Sequence, residues 1–240
     1  MSIAPPEARQ GNPRGQGRDR RIALFGGTFD PIHIGHLAVA RAAERRFHLD
    51  EIHFIPTGRP PHKHRTGMAS YADRYAMTSI ACADHPRFVP SLAEAGGGQS
   101  GREIFYSVDT VRHFKQRHHG TGAHLYFLVG ADSFLDLPNW KDYETLLGLC
   151  DFIVASRPGF DVAALRLVIP PELFARRGAE HAPLDPRAIT LRRTVVYVLD
   201  AVSSHVSATE VRGRLDRNDS IHGLVPPRVE EYINKKALYR

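Results

Sequence analysis

Apolar positions along the chain fall into two patterns that alternate. Short unbroken runs at Ile22–Phe25, Glu51–Ile55, Phe88–Pro90, Leu125–Val129, Phe152–Ala155 and Thr194–Leu199 read as buried strands. Between and after them, apolar residues recur at helical spacing over Gly35–Phe47, Ala72–Ala83, Ser107–Arg117, Tyr143–Leu149, Ala208–Leu215 and Pro227–Lys235. This alternation predicts an α/β fold, a Rossmann-like, doubly wound parallel sheet covered by helices on both faces. Five prolines between residues 157 and 190 mark a loosely ordered connection with a short helix near Glu172–Arg176. No internal repeat is present.

Residues 1–20 carry no such pattern. They are rich in Gly, Pro, Arg and Gln and cannot bury enough surface to order themselves, so a disordered tail is expected before a single domain at 21–240. The chain of 240 residues, 42% hydrophobic, suits one α/β domain. No apolar run approaches a membrane span and the N-terminus lacks a signal-peptide core, so a cytoplasmic protein without a membrane partner is expected. The formal net charge is +6, and Arg9, Arg14, Arg18, Arg20 and Arg21 supply part of it. The rest suits a small polyanion as well as nucleic acid, but no basic helix with interleaved aromatics is seen, and no nucleic-acid partner is expected. Cys82 and Cys150 lie in apolar, helical contexts and read as buried thiols. The 14 histidines are scattered without zinc-site spacing, so no resident metal is expected.

The chemistry concentrates in Gly26-Gly27-Thr28-Phe29-Asp30-Pro31-Ile32-His33-Ile34-Gly35-His36, between the first strand and the first helix. Glycines let a backbone approach a ligand closely, and a helix N-terminus offers free N–H groups to an anion. His33 and His36 are three apart, which on a helical turn places them on one face. Together these make a phosphate reader of backbone N–H groups and imidazoles. A second such start is Ser207-Ala208-Thr209-Glu210-Val211-Arg212, where Ser207 and Glu210 have the spacing of a capping box. It follows the last strand, so it opens at the same sheet edge. In the proline-stiffened loop after the second strand, Lys63 offers a point charge to a phosphate. Asp132, in Gly130-Ala131-Asp132-Ser133, reaches that edge and suits either a ribose hydroxyl or a helix cap. Trp140 sits at a helix start, where its face can stack on a heterocycle or join the core.

The first motif resembles the (T/H)-x-G-H signature of the nucleotidyltransferase superfamily, which class I aminoacyl-tRNA synthetases share. The chain has no Lys-Met-Ser-Lys-Ser stretch, which a synthetase would carry. Over residues 21–240 the ordered set of the Gly26–His36 motif, Pro60-Pro61-His62-Lys63, Tyr106-Ser107-Val108-Asp109-Thr110, Gly130–Ser133, Leu137-Pro138-Asn139-Trp140, Arg157-Pro158-Gly159-Phe160 and Ser207–Arg212 resembles bacterial nicotinate mononucleotide adenylyltransferases. The resemblance implies adenylyl transfer from ATP to nicotinate mononucleotide, a step of NAD biosynthesis, in one nucleotidyltransferase domain. It implies that Gly26, Gly27, Thr28, Phe29, His33, His36, Ser207, Thr209 and Arg212 hold ATP, with His33 and His36 catalytic. Lys63, Tyr106, Ser107, Asp132, Trp140, Lys141 and Arg157 would hold the mononucleotide, with Trp140 on the pyridine ring. Mg²⁺ would arrive on the ATP phosphates. Two motifs depart from the family pattern: Phe105-Tyr106-Ser107 stands where the family has Ser-Tyr-Thr, and Ser207-Ala208-Thr209 where it has Ser-Ser-Thr. Adenylylation of nicotinamide mononucleotide or phosphopantetheine, cytidylyl transfer to another small phosphate, and a non-catalytic nucleotide-binding module remain the alternatives.

Overall fold

The computed structural model describes residues 19–58, 67–96, 105–156, 159–175, 185–200 and 206–240. Among these, seven strands form one sheet: β1 (Arg21–Gly27), β2 (Glu51–Pro56), β3 (Phe88–Pro90), β4 (His124–Gly130), β5 (Asp151–Ser156), β6 (Ile189–Thr190) and β7 (Val195–Asp200). Their order is β3-β2-β1-β4-β5-β7-β6, and every pairing is parallel except that of β6 with β7. The helices are α1 (Ile34–Phe47), α2 (Tyr71–Cys82), α3 (Ser107–Arg117), α4 (Ala131–Leu135), α5 (Tyr143–Leu147), α6 (Ala163–Leu167), α7 (Ala208–Asp216) and α8 (Pro227–Lys235).

The strands are apolar throughout because both sheet faces are covered, and successive side chains go to opposite sides. Ala23, Phe25, Ile52, Phe54, Tyr126, Leu128 and Ile153 pack beneath α1, α2, α7 and α8. Ile22, Leu24, Ile55, Phe127, Val129, Phe152 and Val154 pack beneath α3, α4, α5 and α6. The winding reverses between β1 and β4, so their carboxyl ends, Gly26-Gly27 and Gly130, flank the crevice where such sheets bind ligands.

The doubly wound sheet is present, with the six expected strands and the six expected longer helices. α4, α6 and β6 are additional, and at five, five and two residues they are too short to show a periodicity. In place of the expected helix near Glu172–Arg176 there is a single 3-10 turn at Pro171–Leu173, and residues 176–184 lie outside the described set. Both cysteines are buried free thiols. The expected tail lies outside the described residues apart from Asp19 and Arg20, and the latter pairs with Glu51.

Candidate active site

The turn after β1 is built around a ring. Phe29 takes a left-handed backbone, φ 48°, and drives its side chain into the core beside Phe25 and Phe54, with centroids 5.6 and 5.8 Å away. A Cβ on Gly27 would meet the Phe29 ring at 2.9 Å, whereas one on Gly26 would touch Phe127 at an ordinary 3.7 Å. Gly27 is therefore required by the packing of the turn itself. The same Phe29 ring stands edge-on to His36 at 5.0 Å and fixes its plane.

His33 lies just outside α1, as its N-cap, in extended backbone rather than on the helical turn expected from the spacing. The two imidazoles nevertheless stack, with centroids 3.7 Å apart. The His33 backbone N–H donates to His36 Nδ1 at 3.2 Å. An accepting Nδ1 puts the proton of the neutral ring on Nε2, so His36 presents an N–H donor. His33 Nδ1 is enclosed and has no partner among the described residues. The Ile34 N–H at the start of α1 is already taken by the Leu224 carbonyl at 3.0 Å.

Burial lowers the pKa of His33 from 6.5 to about 4, and burial followed by the neighbouring His33 holds His36 well below its ordinary value. Both rings are neutral donors at pH 7 in the free protein. The unfolded chain binds these protons near pH 6.5 and the folded chain does not, so stability falls as pH drops from about 6.5 toward 4. His33→Asn is expected to remove up to about 1.4 kcal/mol per pH unit of that slope. Urea midpoints measured between pH 4 and 7 check this, and an unchanged slope would refute it.

α7 reaches the same turn from the far end of the chain. Arg212 donates to the Asp30 backbone carbonyl at 2.6 Å, lies 4.0 Å from the Asp30 carboxylate, and donates to Thr209 Oγ1 at 3.0 Å. Ser207 caps α7 by accepting from the Glu210 N–H at 3.1 Å. The reciprocal half of the expected capping box is replaced, because the Glu210 carboxylate accepts from Arg214 at 3.2 Å. Asp30 is buried, and its Oδ1 accepts from the Ala69 N–H at 3.1 Å and the Tyr239 hydroxyl at 2.8 Å.

Arg74 is the largest of the fully buried side chains, and nothing in its sequence context marked it. From α2 its guanidinium donates to four carbonyls: Thr28 and Thr57 at 2.8 Å, Gly58 at 3.1 Å and Ala69 at 3.3 Å. It joins the turn after β1 to the loop after β2. Glu94, also buried, accepts from the Gly58 N–H at 3.3 Å and the Thr110 hydroxyl at 2.8 Å. Burial pushes the Glu94 carboxyl upward, while Thr110, Gly58 and Arg74 pull it back.

On the other side of the crevice, Tyr106 and Ser107 open α3. The Lys141 ammonium lies over the Tyr106 ring at 4.3 Å, so these two expected site residues meet. Trp140 closes a 3-10 turn at Leu137–Asn139 rather than starting a helix, and stands edge-on to Phe127 at 6.3 Å, half-buried. Asp132 is exposed in the first turn of α4, where Gly130 is the N-cap. Lys63 and Arg157 lie outside the described residues.

A stacked pair of histidines thus lies at the switch point of a parallel sheet, with an arginine-bearing helix start beside it. The chain belongs to the cytidylyltransferase-like family, whose model matches residues 24–214. Its curated relatives narrow the class. A probable nicotinate-nucleotide adenylyltransferase of Moorella thermoacetica is 40% identical over 224 residues, covering 93% of each chain. That of Geobacter sp. (strain M21) is 39% identical over 222 residues, 91% of this chain and 98% of the relative. The nicotinic acid mononucleotide adenylyltransferase of Plasmodium falciparum, solved with NaAD, shares the fold at a TM-score of 0.68 and 19% identity, over 92% of this chain and 97% of that one.

Proposed function

We propose that the chain transfers the adenylyl group of ATP to the 5′-phosphate of nicotinate mononucleotide, giving the deamido dinucleotide and pyrophosphate in NAD biosynthesis. The observation that carries this reading is the union of the histidine turn with α7 through Asp30 and Arg212 at the carboxyl end of β1. Relatives near 40% identity that carry the adenylyltransferase name support the choice of acceptor.

A mononucleotide phosphate oxygen attacks the α-phosphorus, the bond to the β-phosphate bridging oxygen breaks, and pyrophosphate leaves with that electron pair. The acceptor phosphate is already a nucleophile, so the protein's work is positioning and charge stabilisation. His36 donates from Nε2 to the phosphate oxygens that gain charge, and His33 holds the neighbouring ones. The Gly26–Thr28 backbone, Ser207, Thr209 and Arg212 hold the rest of ATP. Tyr106, Ser107, Asp132, Trp140 and Lys141 take the acceptor, and the family resemblance adds Lys63 and Arg157 to that role. The turn offers N–H donors, and the Asp30 carboxylate is already bonded, a donor set that suits phosphates. Mg²⁺ fits as an ion carried by ATP, neutralising phosphate charge and keeping phosphate and water ligands. The cell compartment that fits this chemistry is the cytoplasm. Among the described residues no helix is long and apolar enough to cross a membrane.

Pyrophosphate release from ATP with a panel of acceptor phosphates tests the reading. The start of α3 and Lys141 supply donors and positive charge, which a nicotinate carboxylate uses fully. A carboxamide brings N–H groups that need acceptors, and each one buried unpaired costs about 1–3 kcal/mol. The expected result is a kcat/KM at least about tenfold higher for the acid than for the amide. Trp140→Ala is expected to weaken both mononucleotides and spare ATP. Equal values for acid and amide would overturn the nicotinate assignment and leave adenylyl transfer standing.

A further inference from the structure

The two substrates bind on separate elements, so the rate depends on what fixes the gap between them. One buried chain of hydrogen bonds crosses that gap. It starts at the Thr28 carbonyl, in the turn that carries the histidines, which accepts from Arg74 at 2.8 Å. Arg74 donates onward to the Gly58 carbonyl at 3.1 Å. The N–H of the same residue donates to Glu94 Oε2 at 3.3 Å. The other oxygen of Glu94 accepts from the Thr110 hydroxyl at 2.8 Å, and the Thr110 backbone N–H donates to the Tyr106 carbonyl at the start of α3 at 3.1 Å.

The geometry leaves this chain little slack. Glu94 is 6% exposed, Arg74 1% and Thr110 5%. A Cβ on Gly58 would lie 2.4 Å from the Glu94 carbonyl oxygen and 3.0 Å from Phe105 Cδ2, so Gly58 is clamped between the two sides. A buried carboxylate costs more to hold than an apolar side chain of its volume, and packing alone would be served better by leucine or methionine. Glu94 bonds to Gly58 and Thr110, and through them it is connected to the histidine turn by way of Arg74 and to Tyr106 by way of the Thr110 backbone.

We propose that Glu94 is a positioning residue, whose carboxylate sets the separation of the phosphate-binding turn and the mononucleotide-binding start of α3 through Gly58, Arg74 and Thr110. This rests on the reading of the site as an adenylyl transferase. Misplacement by about 1 Å between reacting groups costs up to about 100-fold in rate, while each substrate keeps its own contacts. The signature is therefore a loss in kcat with both KM values nearly kept.

The test uses the full chain, with ATP and nicotinate mononucleotide as substrates, assayed well below the melting temperature. Thr110→Val keeps the shape of the side chain and cuts the link to Glu94. It is expected to lower kcat about tenfold, with each KM within about threefold and melting within a few degrees. Glu94→Ala is expected to lose at least as much in kcat. Glu94→Gln is expected to recover most of that loss, because its amide oxygen accepts from Gly58 and its N–H donates to Thr110, which then donates to Tyr106. If Glu94→Ala does not fold, Thr110→Val decides alone. Parental kcat in Thr110→Val, or an effect confined to melting temperature, overturns the positioning role. So does a Glu94→Gln no better than a folded Glu94→Ala. A parent that releases no pyrophosphate overturns the adenylyl-transfer reading and this inference with it. An active parent with unchanged variants overturns this inference alone.

Discussion

His36→Ala is expected to lower kcat by about 100-fold or more while the KM for ATP changes severalfold at most. The reason is the fixed tautomer. Because Nδ1 accepts from the His33 N–H, the His36 proton points outward from Nε2, and the stacked His33 ring with the edge-on Phe29 ring locks that direction. A donor held in place before the reaction costs no reorganisation when charge builds on the phosphate oxygens. In the proposed function ground-state ATP binding is shared with His33, the turn backbone and Arg212, so losing one ring affects it less than turnover. Steady-state kinetics separate the two parameters, and a kcat within a few-fold of the parent would remove His36 from the catalytic role.

Arg74→Met is expected to destabilise the fold by about 4 kcal/mol or more, because it leaves four carbonyls without their guanidinium. Methionine fills much of the volume but offers no donor, and burial keeps water from replacing the lost bonds. For a domain of this size each kcal/mol is worth about 2–4 °C, so the melting temperature is expected to fall by about 10 °C or more. Arg74→Lys keeps the charge but not the planar fork, and falls between. A melting temperature for Arg74→Met within about 2 °C of the parent would show that the carbonyls find other partners.

The sheet was legible because five of its strands, buried on both faces, are nearly continuous apolar runs set between helical periods. The histidine turn was legible because Gly27, Phe29, His33 and His36 lie within one stretch whose local geometry brings the two rings together. What joins that stretch to its surroundings was not legible. Arg74 sits in an amphipathic helix, where an arginine ordinarily reads as solvated, and the four carbonyls it serves come from three separate turns. Glu94 lies in a glycine-rich loop and reads as polar surface, although it is almost fully buried. Asp30 belongs to the motif, but its bond to Tyr239 spans 209 positions, and no local spacing signals it. His33 shows a further limit, since three-residue spacing brought the rings together through an N-cap rather than through a helical turn.

The two margins of the sheet carry a separate consequence. β3 has three residues, one of them Pro90, which has no N–H, and β6 has two. Long flat margins act as templates on which another chain adds a strand, and polymerisation follows from there. Among the described residues β6 runs antiparallel to β7, and its outer side is bonded to the Leu173–Ala175 segment, Ala175 N–H donating to the Thr190 carbonyl at 3.2 Å and Arg192 N–H to the Leu173 carbonyl at 2.8 Å. Among the described residues the sheet thus offers a second chain little edge to extend, although its central strands are strongly apolar.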